Sequence, residues 1–185
     1  MTEEELKTIL SQNDQIKEIL AIIALLGLPD TWLCAGTVRN FVWNYLSGNQ
    51  TLDDTNDVDV VFFDKGISYA ETLQLEQKLK GKYPQYNWEL KNEVYMHGHS
   101  PETAPYQNSY DAIAKFPETC TAIAIRLNEQ QLELMAPHGI VDLTNFIVRP
   151  TPHFRASATR RQLYQERVKK KNWQARWPKI QVLDR

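Results

Sequence analysis

Residues 56–64 read Asn-Asp-Val-Asp-Val-Val-Phe-Phe-Asp, and this run leaves the chain little freedom of structure. β-branched and aromatic residues suit a pleated surface, and the run has the length of a strand buried on at least one side. Neighbouring strand side chains point to opposite faces. Val58, Val60 and Phe62 are therefore expected in a core, while Asp57 and Asp59 project together from the other face. Two like charges side by side are unfavourable unless a cation lies between them. A hard divalent ion such as magnesium takes oxygen ligands and keeps waters and substrate phosphates, so two or three converging carboxylates can hold it. Asp64 has the opposite parity and reads as a turn residue beyond the strand. In a plainer alternative, Asp53, Asp54, Asn56 and Asp57 form a polar loop and Asp59 opens a strand.

The upstream sequence favours the first reading. Residues 31–35 have the pattern of a short buried strand, and 35–40 then read Ala-Gly-Thr-Val-Arg-Asn. Gly36 permits a tight turn and a close backbone approach. Thr37 is placed at the N-cap of a helix over 38–46, where free amides and the helix dipole favour an anion and a hydroxyl can donate to a phosphate oxygen. Arg39 follows near the helix start, as a cation for phosphates or as one side of a surface salt bridge. Strand, glycine turn, helix and an Asp-x-Asp strand together fit the binding of a metal-bound nucleoside triphosphate.

At these residues the sequence resembles the polymerase-β-like nucleotidyltransferase superfamily, in which a glycine and a small or hydroxyl residue precede Asp-x-Asp or Asp-x-Glu on the next strand. Ala-Gly-Thr-Val-Arg-Asn is also similar to a motif of the CCA-adding tRNA nucleotidyltransferases. A likeness to a small bacterial nucleotidyltransferase-like family extends through 88–92, Met96-His97, 111–113, 136–139, Asp142-Leu143, 148–150 and 173–178. The resemblance implies an α/β (α+β) fold, with a mixed sheet and flanking helices. It implies transfer of a nucleoside monophosphate from a triphosphate to an acceptor hydroxyl, with magnesium in a two-metal site.

A third carboxylate is expected from a neighbouring strand. Glu89 is the choice because its strand follows one helix after the Asp pair, giving Asp57, Asp59 and Glu89 as metal ligands and catalytic acids. Glu133 and Asp142 compete with it. Thr37 stands where the superfamily has serine or glycine, and Asn40 replaces an acid of the tRNA enzymes. The chain lacks room for the helical body and tail of those enzymes, which argues against CCA addition. An inactive module that binds a nucleotide, RNA or a partner on the same fold is the alternative. The acceptor, RNA or a small molecule, is not written in the sequence.

A length of 185 residues suits one domain. Cys34 and Cys120 lie beside apolar runs and read as reduced core thiols. No apolar run approaches a membrane span, and with no leader pattern the expected location is the cytoplasm. The formal net charge of −2 hides an asymmetry: from Arg149 onward Lys and Arg dominate, opposed only by Glu166 and Asp184. This basic stretch, 149–185, reads as an extension packed on the domain, able to meet the phosphates of a nucleotide or nucleic acid. Trp173 and Trp177 favour docking.

The remaining pattern predicts helices over 4–26 with a break at Asn13-Asp14 and a stop at Gly27, and over 68–82 with a Ser68–Glu71 capping box. A short helix is expected over 109–115 and the C-terminal helix over 156–171. Strands are expected over 87–93, 119–127 and 132–136, the last two forming a hairpin, with a loop over 98–108. His97 and His99 would share a face if extended, but no zinc partner accompanies them. His138 and His153 read as loop residues facing solvent, and Lys91 and Asn92 as weak substrate contacts.

Overall fold

The structure, a computed structural model, describes residues 1–49, 52 and 57–184. The polar stretch with Asp53, Asp54 and Asn56 lies outside the described residues. Helix α1 (Glu3–Gln12) opens on a Thr2–Glu5 capping box. Asn13 ends it and caps α2 (Asp14–Ala24) through its side-chain oxygen, which accepts from the Ile16 amide. The break thus falls where the sequence places it. Gly27, at positive φ, turns the chain away from α2.

Strand β1 (Trp32–Cys34) runs directly into α3 (Ala35–Leu46), and β2 (Asp57–Phe62) follows. Helix α4 (Tyr69–Lys82) has the expected Ser68–Glu71 box, and β3 (Asn87–Asn92) passes into a 3-10 helix, Glu93–His99. After α5 (Ser109–Ala114) come β4 (Ala124–Asn128) and β5 (Gln131–Met135). The C-terminal part holds α6 (Val141–Thr144), β6 (Ile147–Val148), α7 (Pro152–Arg155), α8 (Ala158–Lys171), a 3-10 turn (Trp173–Ala175) and β7 (Gln181–Val182).

The main sheet has the order β3-β2-β1-β4-β5 and is mixed: β2 and β3 are parallel and every other pair is antiparallel. Parity along β2 separates its faces as expected. Val58, Val60 and Phe62 enter the large core with Leu33, Trp88, Leu90 and the apolar faces of α1 to α3. On the opposite face a smaller cluster, including Trp32, Cys34, Val61 and Met135, covers only part of the sheet. The acids of β2 lie on this thinly covered face.

Two expectations change. The strand expected over 119–127 begins only at Ala124, because Thr119 turns away to bond the Arg149 carbonyl and the Asp142 carboxylate. The expected hairpin forms, its turn made by Glu129 and Gln130, both at positive φ, so a conformation that favours glycine is reached without one. Residues 93–99 are helical rather than extended, which takes His97 and His99 off any shared strand face. The C-terminal helix expected over 156–171 forms as α8, capped by the Ser157 side chain, and a short additional helix, α7, started by Pro152, precedes it.

The C-terminal segment packs through aromatic rings. Trp43 of α3 is fully buried, its ring centroid 5.1 Å from that of Trp177 and 6.1 Å from those of Trp173 and Phe146. Its indole N–H donates to the Leu143 carbonyl at 3.0 Å. Basic α8 is thereby held against the body rather than free.

Candidate active site

Asp57 and Asp59 face the same way from β2, and the parallel register sets Asn87 beside Asp57 and Glu89 beside Asp59. Glu89 therefore stands where the sequence reading put it. The crowding has an electrostatic consequence. Burial, the adjoining Glu89 and then Asp57 push the Asp59 carboxyl up to about 6, against the opposing pull of Arg39 and of its bond to Gly36.

The three acids do not form a closed metal cage. Among the described residues no three acid, histidine or cysteine side chains gather closely enough to hold a metal ion. Two of the acids are turned toward protein donors: Asp57 accepts from the Asn87 side chain and Asp59 from the Gly36 amide. The donor set, all carboxylate oxygen, still suits a hard divalent cation, and a cation would relieve the repulsion that raises Asp59.

Gly36 answers a steric need more specific than a turn. Its N–H donates to Asp59 Oδ2 at 2.8 Å, and a Cβ on Gly36 would lie 2.8 Å from that same oxygen. The left-handed residue is its neighbour Ala35, which carries the chain abruptly from β1 into α3. Gly36→Ala is expected to displace the Asp59 carboxylate and lower turnover by roughly a hundredfold, as small misplacements of reacting groups do. Turnover measured alongside thermal unfolding separates this effect from loss of fold.

Thr37 corrects the sequence reading. It lies within the first turn of α3, not at its N-cap, which is Cys34. Its hydroxyl donates to the Asp57 carbonyl at 3.1 Å and accepts from the Asp59 amide at 2.8 Å. Its proton is thus committed to the backbone of β2, and Thr37 locks the acid-bearing strand to the helix rather than offering a donor to phosphate.

Arg39 also departs from expectation, because it is no surface residue. It is 4% exposed, with its guanidinium 4.6 Å from the ring of Trp173 and 5.2 Å from that of Trp43. It donates to the side chains of Asn40 and Thr121, and burial lowers its pKa from the usual arginine range. No carboxylate among the described residues lies within ion-pair distance of it. Arg39 lines a recess of about 710 Å³ together with Gly36, Asp57, Asp59, Glu89, Arg167 and Lys171. The last two come from α8, so the basic C-terminal stretch supplies one wall; its charge was legible in the sequence but its placement was not.

A second recess, of about 980 Å³, shares Asp59, Glu89, Arg167 and Lys171 with the first. Glu93, the first residue of the 3-10 helix, lines it, two residues beyond Lys91 and in sequence parity with Glu89. That parity is the signal by which the sequence could have revealed it. It is 3% exposed and makes no hydrogen bond or ion pair among the described residues, and burial pushes it up to about 8. The unfolded chain releases this proton near the ordinary 4.5, so between the two values the folded state holds more protons and rising pH favours unfolding. Stability is therefore expected to fall from about pH 5 to about pH 8 in the wild type relative to Glu93→Gln. Thermal melts of both proteins across that window provide the check.

The other candidates lie elsewhere. Glu133 pairs with Arg126 at 2.5 Å on β5, the edge strand farthest from β3, and Asp142 binds Thr119 and Arg149. Asn92 is fully buried and ties the Asp64 turn to β3 by bonding both the amide and the carbonyl of Asp64. Lys91 and His99 line the larger recess. His138 and His153 are half-buried rather than solvent-facing: His138, in a turn as expected, bonds the Ala114 carbonyl at 2.8 Å, and His153, in α7 rather than a loop, bonds Thr103 at 2.8 Å. Cys34 and Cys120 are buried free thiols, as expected.

A sequence model described as a nucleotidyltransferase matches residues 21–182. The chain belongs to this nucleotidyltransferase family. A solved protein whose NMR structure reveals a CCA-adding enzyme head domain is 51% identical to this nucleotidyltransferase, with 97% of this chain and 95% of that chain covered and a TM-score of 0.91. The Thermotoga maritima CCA-adding enzyme complexed with tRNA matches over 96% of this chain and 42% of its own, at 14% identity and a TM-score of 0.56. A CCA-adding enzyme in complex with ATP gives 15% identity, the same coverages and a TM-score of 0.54. These two likenesses show the fold alone, and the nucleotidyltransferase spans about two fifths of either chain. No curated protein matches it. No helix among its described residues is long and apolar enough to cross a membrane.

Proposed function

We propose that this nucleotidyltransferase binds a nucleoside triphosphate in the smaller recess and moves its nucleoside monophosphate to an acceptor hydroxyl. One observation carries the reading: a buried arginine without a carboxylate partner and a row of crowded acids line the same recess. A cation in such surroundings calls for an anion, and the acids call for a cation. A metal-bound triphosphate satisfies both.

Asp57, Asp59 and Glu89 would hold magnesium, as one ion or two, which when bound shields phosphate charge and makes the attacking oxygen more acidic. The chain's own groups do the rest. Arg39, steadied against the rings of Trp43 and Trp173, would bind phosphate oxygens through its planar fork, with Arg167 and Lys171 adding charge from α8. Gly36 fixes Asp59, and Thr37 fixes the strand that carries both aspartates. Positioning and charge stabilisation would supply most of the rate. In the transfer, the acceptor oxygen bonds to the α-phosphorus and the bond to the bridging oxygen breaks. Pyrophosphate departs with that electron pair, and the acceptor proton passes to water.

A second reading, binding without transfer, draws on the committed Thr37 hydroxyl and on acids that engage protein donors. Calorimetric titration with each nucleoside triphosphate, with and without magnesium, and assay of labelled transfer in cell extract distinguish the two. Magnesium-dependent binding with transfer supports the first, and binding alone the second. Arg39→Met is expected to weaken triphosphate binding by roughly tenfold to a hundredfold, the worth of a charged hydrogen-bonding group. Unchanged affinity in that variant would contradict its role.

A further inference from the structure

The larger recess is lined by two largely buried residues, Glu93 and Tyr106, 3% and 8% exposed. Among the described residues neither the Glu93 carboxyl nor the Tyr106 hydroxyl makes a hydrogen bond or ion pair, and both groups reach the open space of the recess rather than being sealed in protein. Both line the cavity, whose walls also include Met96, Phe116, Phe154 and Leu163. Polar groups left without a protein partner at a cavity wall are met by water or by a ligand. A cavity of this size that sets convergent polar groups among apolar and charged side chains has the character of a small-molecule site. It also shares Asp59 and Glu89 with the smaller recess, so a molecule in it lies beside the acids at which transfer is proposed.

We propose that the larger recess takes the acceptor, a small neutral molecule bearing several hydroxyl groups, and that Glu93 and Tyr106 bind one of these hydroxyls while another is presented at the Asp59–Glu89 edge. This rests on the transfer reading above. A phenol and a protonated carboxyl each donate and accept, as does an alcohol, so the three form a complementary set. Burial favours the protonated Glu93 that this requires. The wall also carries Lys170 and Lys171 of α8, so an RNA end is the competing occupant that the test separates from a polyol.

The test uses the full chain with magnesium and ATP, titrated with myo-inositol, with ribose and, separately, with a short single-stranded RNA. Backbone amide resonances of Met96, Tyr106 and Phe154 are followed by heteronuclear NMR. At least one polyol is expected to shift all three, and Glu93→Leu and Tyr106→Phe are each expected to weaken its binding about tenfold, the worth of a buried hydrogen bond. The affinity for magnesium and ATP should change less than about twofold in both variants, which also shows that they are folded. The proposal is overturned if neither polyol moves these amides, if both variants bind a polyol as the wild type does, or if RNA alone moves them. Failure of the wild type to bind magnesium and ATP would instead overturn the reading of the smaller recess.

Discussion

Asp59→Asn is expected to lower nucleotidyl transfer by about a thousandfold or more, the scale on which loss of one preorganised charge at a reacting phosphate is felt, while the protein stays folded. Asparagine has nearly the same shape, and its side-chain oxygen can still accept from the Gly36 amide that now bonds Asp59 Oδ2 at 2.8 Å. What disappears is charge. Burial, Glu89 and Asp57 already push the Asp59 carboxyl up to about 6, so above that pH the native protein maintains an unfavourable ionised group. The variant should therefore melt at the same temperature or higher. Transfer of label from an α-labelled triphosphate, measured beside thermal unfolding at neutral pH, checks both halves. An inactive variant that is also destabilised would point to a structural role for Asp59.

Trp43→Ala is expected to cost about 3–5 kcal/mol, the range for removing a large buried aromatic. Trp43 meets Phe146, Trp173 and Trp177 and donates to the Leu143 carbonyl. Its loss would open a cavity in the joint that fastens the C-terminal segment, which we propose is an extension, 149–185, docked on a single domain. It would also remove one of the two rings against which the Arg39 guanidinium lies. Urea unfolding should show the lost stability, and triphosphate affinity should fall with it. Loss of stability with unchanged affinity would mean that Arg39 holds its place without the ring.

The strand carrying Asp57 and Asp59 was legible because alternation is a local property: one residue in two faces the core, and the acids are the exceptions. Glu89 was legible for a related reason, since a parallel neighbour one helix onward brings equivalent parity to the same face. Arg39 was not legible as buried. Its enclosure depends on Trp173, which is distant in sequence, and nothing near position 39 announces that contact. Thr37 looked free for phosphate because its partners, the Asp57 carbonyl and the Asp59 amide, are backbone atoms that no sequence pattern marks. Ala35 hid the true start of α3, since a left-handed alanine is not something composition suggests. The 3-10 helix that carries Glu93 off the end of β3 was missed because its residues continue a strand-like alternation.

The central claim is that one metal-bound triphosphate joins the acid row on β2 to the guanidinium on α3. The most direct measurement is a crystal structure with magnesium and a non-hydrolysable nucleoside triphosphate. Metal density on Asp57 and Asp59, with phosphate oxygens within hydrogen-bond distance of Arg39, is the predicted result. A triphosphate bound away from Arg39, or a metal bound without either aspartate, would contradict the account.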